Sequence, residues 1–373
     1  MTRFYSRTNR VLPKLFDVLL MILFFPALFN KKKEQIFPKN ILLIELWRIG
    51  DLVMMASVLR PLRESFPEAE ISLLTKEYAK EIFKASPVPM RYFTFDFPWT
   101  KFKGKYKLWN WDWRGIVDII RRLRKEKFDL VIDARGDVRN NILSMLTNAK
   151  RRVGYGWTGG GFLLTDRGQN EKRKAHRVEA WQALLSLLGI ESGRIIPSLN
   201  VDPTANENAD RFLNENGLSG KRVIGIHPGA RMPVRRWPLE RFMEVAKRIE
   251  ANFGYRIIFF RDPDMRDREC GGYPRFEGGL QDMMAVIKKL KLFICNDTGV
   301  MHIAAALGIP VIAVFGPGEK ETIGPYGPEH VIVRKESVKC RPCWDYCRYK
   351  LPHCILDISA DQVMQKVEEK LRE

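Results

Sequence analysis

The sequence predicts an α/β protein built from two Rossmann-like, doubly wound domains facing a cleft. An N-terminal apolar segment that associates with a membrane precedes them. Three observations carry this reading. From Asn40 onward, short apolar runs alternate with amphipathic stretches, the pattern of a parallel sheet covered on both faces. The same alternation restarts at Lys221. The chain has 373 residues, enough for two or three cores at roughly 100–200 residues each. The expected division is 1–40 for the arm, 41–200 for the first domain and 201–373 for the second, with 195–220 as a linker region.

The elements follow in order. ILLIEL (41–46) is a buried-strand run, WRIGD (47–51) a loop, and Leu52 to Phe66 a helix. Ile71–Leu74 is the next strand, with a helix near 76–85. LVID (130–133) is a strand, followed by the loop ARGD and a helix from about Val138. In the second half RVIGIH (222–227) leads into the loop PGARMPVRRWP and a helix from Leu239 to Phe253. YRIIFF (255–260), a helix near 280–290, LFICN (292–296), a helix from about Val300, VIAVFG (311–316) and VIVRK (331–335) complete the pattern. GYGWTG (154–159) formally matches a dinucleotide loop, but no helix opens from it, so that reading is rejected.

Lys plus Arg is 63 and Asp plus Glu 44, a net charge of +19. Such a surface attracts anionic partners: nucleic acid, anionic lipid or phosphorylated small molecules. Residues 1–40 hold eight Lys/Arg against Asp17 and Glu34, so +6 of the +19 lies in the arm. Its run VLLMILFFPALF (18–29) would span about 18 Å as a helix, short of the ~30 Å bilayer core. Asn30 and three Lys follow it, which gives no signal-peptide cleavage site. An interfacial anchor fits best. The stretch 91–115 interleaves Phe93, Phe95, Phe97, Trp99, Phe102, Tyr106, Trp109, Trp111 and Trp113 with four Lys. It fits a membrane-interface loop first, core aromatics second, and single-stranded nucleic acid third.

Four segments hold residues suited to chemistry. Arg48, Gly50 and Asp51 follow the first strand, where open α/β sheets place their sites; taken alone, Asp51 reads as a helix N-cap. Asn296, Asp297, Thr298, Gly299 and His302 sit between a strand and a helix, an arrangement that offers backbone N–H groups to an anion. His227 to Arg231 and Arg235 to Pro238 form an Arg-rich loop suited to a diphosphate. Cys340, Cys343, Cys347 and Cys354 are spaced closely enough for structural Zn, an iron–sulfur cluster or two disulfides, with His353 as a substitute ligand.

RIGDLV (48–53), HPGA (227–230), RRWP (235–238), NDTGVMHIAAALGIPVIAVFG (296–316) and the Cys-rich tail, in this order, resemble glycosyltransferase family 9, the bacterial lipopolysaccharide heptosyltransferases. The resemblance spans about 41–360. It implies the GT-B architecture, with acceptor on the first domain and nucleotide sugar on the second. It also implies inverting transfer of a heptose from ADP-heptose to a lipid-linked core oligosaccharide at the cytoplasmic face of the inner membrane. No cofactor is implied for catalysis, and no nucleic acid is expected as partner. Asp51 then takes the place of the general base. Arg231, Arg235, Asp297, Thr298, Gly299 and His302 fall at the donor, and Arg48, Gly50, Arg135 and Arg139 at the acceptor. Arg235 stands where many members have Lys, and Glu45 where many have Lys or Arg. Asp264 or Asp267 is the candidate ribose contact. The competing readings are an enzyme acting on another nucleotide sugar, an epimerase included, and a non-enzymatic membrane-associated binder of nucleotide or nucleic acid.

Overall fold

A computed structural model of the chain describes residues 37–101, 107–191, 193–261, 270–343 and 346–372. The apolar run 18–29, Phe102, Tyr106, Asp264 and Asp267 lie outside the described residues. Among the described residues no helix is long and apolar enough to cross a membrane. The chain divides into two compact units: one of the described residues up to 80 plus 87–195, the other of 81–86 plus 196 onward.

The first unit is built on six parallel strands: β1 (Asn40–Ile44), β2 (Glu70–Thr75), β3 (Arg91–Thr94), β4 (Leu130–Asp133), β5 (Arg151–Gly154) and β6 (Asp166–Arg167). Their order is β3-β2-β1-β4-β5-β6. The chain winds outward from β1 to one edge, then returns and winds to the other. The loops after β1 and β4 therefore diverge and leave a crevice at their carboxyl ends. The second unit repeats the plan with β7 (Val223–His227), β8 (Arg256–Phe260), β9 (Arg275–Phe276), β10 (Leu292–Asn296), β11 (Val311–Val314) and β12 (Val331–Val333), ordered β12-β11-β10-β7-β8-β9. Here the switch lies between β7 and β10.

The apolar strands emerge as expected because they are buried on both faces: Ile41, Leu42, Leu43 and Ile44 are all fully covered. Four edge or near-edge strands, β3, β5, β6 and β9, escape the hydrophobic pattern. β5 and β6 carry Arg151 and Asp166, and their bidentate pair at 3.0 Å satisfies the charges across the ladder.

The helix expected over 52–66 is broken. α1 (Ile49–Met55) gives way to a tight turn at Ala56–Val58 before Leu59–Ser65 resumes. Pro61 lacks the N–H that would bond back to Ser57, so the ladder cannot run through. The helix near 76–85 is a single turn, Ala79–Ile82. The region 195–220, read as a linker, holds a helix at Pro203–Glu215. Asp202 caps it by accepting the Thr204 N–H at 3.0 Å, and it buries Ala205, Ala209 and Leu213 at four-residue spacing.

The aromatic stretch divides between core and surface. Phe93, Phe97 and Trp99 are core residues, with Phe95 and Trp111 packed against them. Leu108, Trp109, Trp113 and Val117 are 52, 79, 51 and 42% exposed. The last two lie on α2 (Trp113–Lys125), whose buried stripe is Ile116, Ile119 and Leu123.

Gly225 sits in the middle of β7 because its neighbours leave no room: a Cβ there would lie 2.4 Å from Leu290 and 2.8 Å from Phe260. Gly225→Ala should destabilise the second unit by about 1–3 kcal/mol, read by urea unfolding. An unchanged midpoint would show that this packing yields.

Candidate functional site

At the switch point of the first sheet, Asp51 lies in the first turn of α1, held from two directions. Its Oδ2 accepts the Arg48 backbone N–H at 3.2 Å, and its Oδ1 accepts Nη1 of Arg135 at 3.1 Å. Asp51 is thus not the N-cap itself; Arg48 occupies that position and Asp51 answers it from three residues on. Arg135 comes from the loop after β4, so the ion pair joins the two diverging loops. The Arg135 guanidinium also lies 4.1 Å from the centre of the Trp47 ring. Tyr78 fixes that loop from the side, donating its hydroxyl to the Trp47 carbonyl at 2.5 Å.

Beneath this pair lie two buried acids: Glu45, which stands where many family members have Lys or Arg, and Asp133, which the sequence did not mark. Glu45 is 4% exposed and accepts the Trp47 N–H at 3.1 Å. Burial, and then the Asp51 charge, holds its carboxyl well above the usual carboxylate range. Asp133, at the end of β4, is fully buried and accepts the Arg135 N–H at 2.5 Å. Burial pushes it up to about 7, against the pull of that N–H bond. Asp51 is therefore the more accessible carboxylate of the cluster, half-buried, while burial raises its deeper neighbours. Of the other acceptor candidates, Gly50 is buried inside α1. Arg139 turns back on its own loop, bonding Asp137 at 2.8 and 2.5 Å.

In the second unit, Asn296 ends β10 and organises both loops of the switch. It accepts the Trp237 N–H at 3.0 Å and donates to the Pro228 carbonyl at 2.8 Å. Arg235 and Asp297, both buried, pair at 3.0 Å across the same two loops. Gly318 stands close because a Cβ there would come within 2.7 Å of Asp297 Oδ2. Thr298 is the N-cap of α6 (Gly299–Ala306; among the helices before it, Val138–Leu146 is labelled α3, Arg177–Leu185 α4 and Leu239–Phe253 α5). Thr298 and Gly299 are half-buried and no side chain caps the helix start, whereas His302 is buried one turn on. Arg236 is tied to the Ala230 carbonyl at 2.6 Å, and Arg231 is exposed. The arrangement suits a diphosphate: a partly accessible helix N-terminus follows the strand whose end also carries the partner of Arg235.

The four tail cysteines do come together, around a cavity of ≈ 140 Å³ that His353 also lines. The expected metal or disulfides are not supported. All four are free thiols, and among the described residues no group of three or more His, Cys, Asp or Glu is placed to hold a metal ion. The sulfurs turn to carbonyls instead: Cys343 donates to Cys340 at 2.9 Å and Cys347 to Leu351 at 3.6 Å. Burial pushes the Cys354 thiol up to about 11.

An acid whose folded pKa exceeds its unfolded value of about 4 binds an extra proton in the folded state between the two values. Stability of the first unit should therefore fall as pH rises from about 4 to about 7. Asp133→Asn, which keeps the acceptor for the Arg135 N–H, should flatten that slope in urea titrations at pH 5 and 8. An unaltered slope would contradict the assignment.

Comparison with known proteins bears on both halves. The sequence pattern of glycosyltransferase family 9 (heptosyltransferase) matches residues 116–352. The chain is 23% identical over 363 residues to the lipooligosaccharide heptosyltransferase 2 of Haemophilus influenzae, covering 89% of this chain and 99% of that one. It is 26% identical over 290 residues to a lipopolysaccharide heptosyltransferase 3 of Escherichia coli, 72% and 80% of the two chains. A family 9 glycosyl transferase from Veillonella parvula superposes with a TM-score of 0.73 at 22% identity, over 90% of this chain and 97% of that one. The E. coli ADP-heptose lps heptosyltransferase II gives 0.68 at 20%, over 89% and 98%.

Proposed function

Because the chain belongs to glycosyltransferase family 9, we propose that it moves a heptose-type sugar from ADP-heptose to a lipopolysaccharide core glycolipid, inverting the anomeric centre and requiring no metal cofactor. The observation that supports this most directly is Asp51: a carboxylate at the carboxyl end of a central parallel strand, aimed by a guanidinium and a backbone N–H.

In this reading Asp51 takes the proton from an acceptor hydroxyl as the oxygen attacks the anomeric carbon. The Arg135 bond fixes the carboxylate, so little reorganisation accompanies proton transfer. Arg48, Gly50 and Arg139 are the remaining acceptor contacts of the proposal. The anomeric bond to the nucleoside diphosphate breaks as the new bond forms. The charge left on the diphosphate falls to the second unit. There the N–H groups at Thr298 and Gly299, with Arg235 and Arg231, supply the compensation that a divalent cation gives elsewhere. Asp297 aligns Arg235 and faces the donor sugar, and His302 supports the helix start.

Association with the cytoplasmic face of the inner membrane belongs to the same proposal. Leu108, Trp109, Trp113 and Val117 form an exposed apolar strip beside Lys107, Arg114 and Arg121, which suits an anionic lipid surface.

The test is incubation with ADP-heptose and defined core-lipid acceptors, with products read by mass spectrometry. Asp51→Asn should keep the fold and lower kcat by about 10²–10⁴; near-normal turnover would remove Asp51 from the role of base. Replacing Trp109 and Trp113 with Ser should weaken sedimentation with anionic vesicles while leaving turnover of a soluble, delipidated acceptor unchanged. Equal sedimentation of both proteins would refute the docking strip.

A further inference from the structure

Beside the Asp51–Arg135 pair stands a cation that the proposed chemistry does not use. Arg177 is the first residue of α4, and His176 caps that helix by accepting the Val178 N–H through Nδ1 at 3.2 Å. A helix N-terminus carries partial positive charge and favours anions, so a guanidinium there works against the helix. Nη1 of Arg177 is buried without a hydrogen-bond partner. The two carboxyl groups that act on its charge are committed elsewhere, Asp51 to Arg135 and the Arg48 N–H, Glu45 to the Trp47 N–H. Burial, and then repulsion from Arg135, pushes Arg177 down to about 10.

The side chain is nonetheless carefully held. Its guanidinium lies 5.1 Å from the centre of the Trp157 ring. Trp157 stacks on Tyr155 with ring centres 4.2 Å apart and planes at 17°. Tyr155 is anchored by its hydroxyl to the Ala180 carbonyl within α4, at 2.8 Å. Beneath the indole, Gly136 has φ +65°, and a Cβ there would lie 2.7 Å from Trp157. The loop after β4, which carries Arg135, is thus shaped to let Trp157 lie flat under Arg177.

Counting charges around Asp51, Arg135 and Arg177 are both cationic. Asp51 supplies one negative charge, while Glu45 is held towards its neutral form. Neither of these carboxyl groups accepts a hydrogen bond from Nη1 of Arg177. A buried guanidinium N–H without an acceptor is costly unless a ligand completes it.

We propose that Arg177, laid on Trp157 at the start of α4, binds a carboxylate or phosphate of the acceptor saccharide and so selects an acceptor with an anionic group near the hydroxyl that Asp51 deprotonates. This rests on the transfer reading above and deepens it. The planar fork of the guanidinium suits a two-point contact with either anion.

The experiment compares wild type, Arg177→Gln and Arg177→Lys on three acceptors: the native core glycolipid, the same with its carboxylates esterified, and the same dephosphorylated. Acceptor binding is measured by calorimetry without donor, and kcat and KM with ADP-heptose. On the native acceptor, Arg177→Gln should raise Kd and KM at least tenfold, with the KM for ADP-heptose unchanged. Arg177→Lys, which keeps the charge but not the fork, should fall between. One of the two masked acceptors should bind wild type as weakly as it binds Arg177→Gln, and which one does so identifies the anion. Equal losses on all three acceptors, or no loss on the native one, would overturn the proposal. If Arg177→Gln does not fold, the same comparison with Arg177→Lys decides. Wild-type binding without transfer would refute the transferase reading while still deciding the role of Arg177.

Discussion

A parallel strand buried on both faces has nothing but its ends to offer to a ligand, and this constraint governs the whole chain. Ile41 to Ile44 and Val223 to Ile226 are buried on both faces, so no side chain of theirs can meet a substrate. Chemistry is displaced to the loops at the carboxyl ends. It concentrates where two neighbouring loops diverge, after β1 and β4 in one unit and after β7 and β10 in the other. Each crevice is then closed by one ion pair across the gap, Asp51 with Arg135 and Asp297 with Arg235. The two units solve the same geometric problem with the same device and opposite purposes. In the first the carboxylate is the proposed working group and the guanidinium aims it. In the second the guanidinium is, and the carboxylate aims it.

The electrostatics of the first crevice are graded by depth. Asp51 keeps contact with solvent and has two donors, while Glu45 and Asp133 lie below it where a charge is expensive. Three acids so close together could not all ionise at low cost, and burial resolves the conflict by raising the deeper two.

Much of the fold was legible because burial writes itself into the sequence. The central strands β1, β4, β7, β8, β10 and β11 are apolar runs, and α5 starts and ends where its pattern does. What failed to show were elements stabilised by something other than a hydrophobic stripe. β5 and β6 depend on the Arg151–Asp166 pair, and Pro203–Glu215 on an Asp cap and three small or apolar contacts in an Asn-rich stretch. The tail cysteines show the opposite error. Their spacing suggests a metal site or disulfides; the cysteines do converge, but as free thiols, and Cys343 and Cys347 donate to carbonyls.

By itself the sequence determined the two doubly wound sheets, the loops that carry Asp51, Arg235 and Thr298, and the family, because these reside in runs and motifs of contiguous residues. Only the tertiary structure decided what each of those residues touches. Arg135 is 84 positions from Asp51, and Asp297 is 62 from Arg235. Arg177, Trp157 and Gly136 come from three separate segments. No spacing along the chain encodes such meetings; they follow from which strand lies beside which in the sheet, and the order β3-β2-β1-β4 is what sets Asp51 beside Arg135.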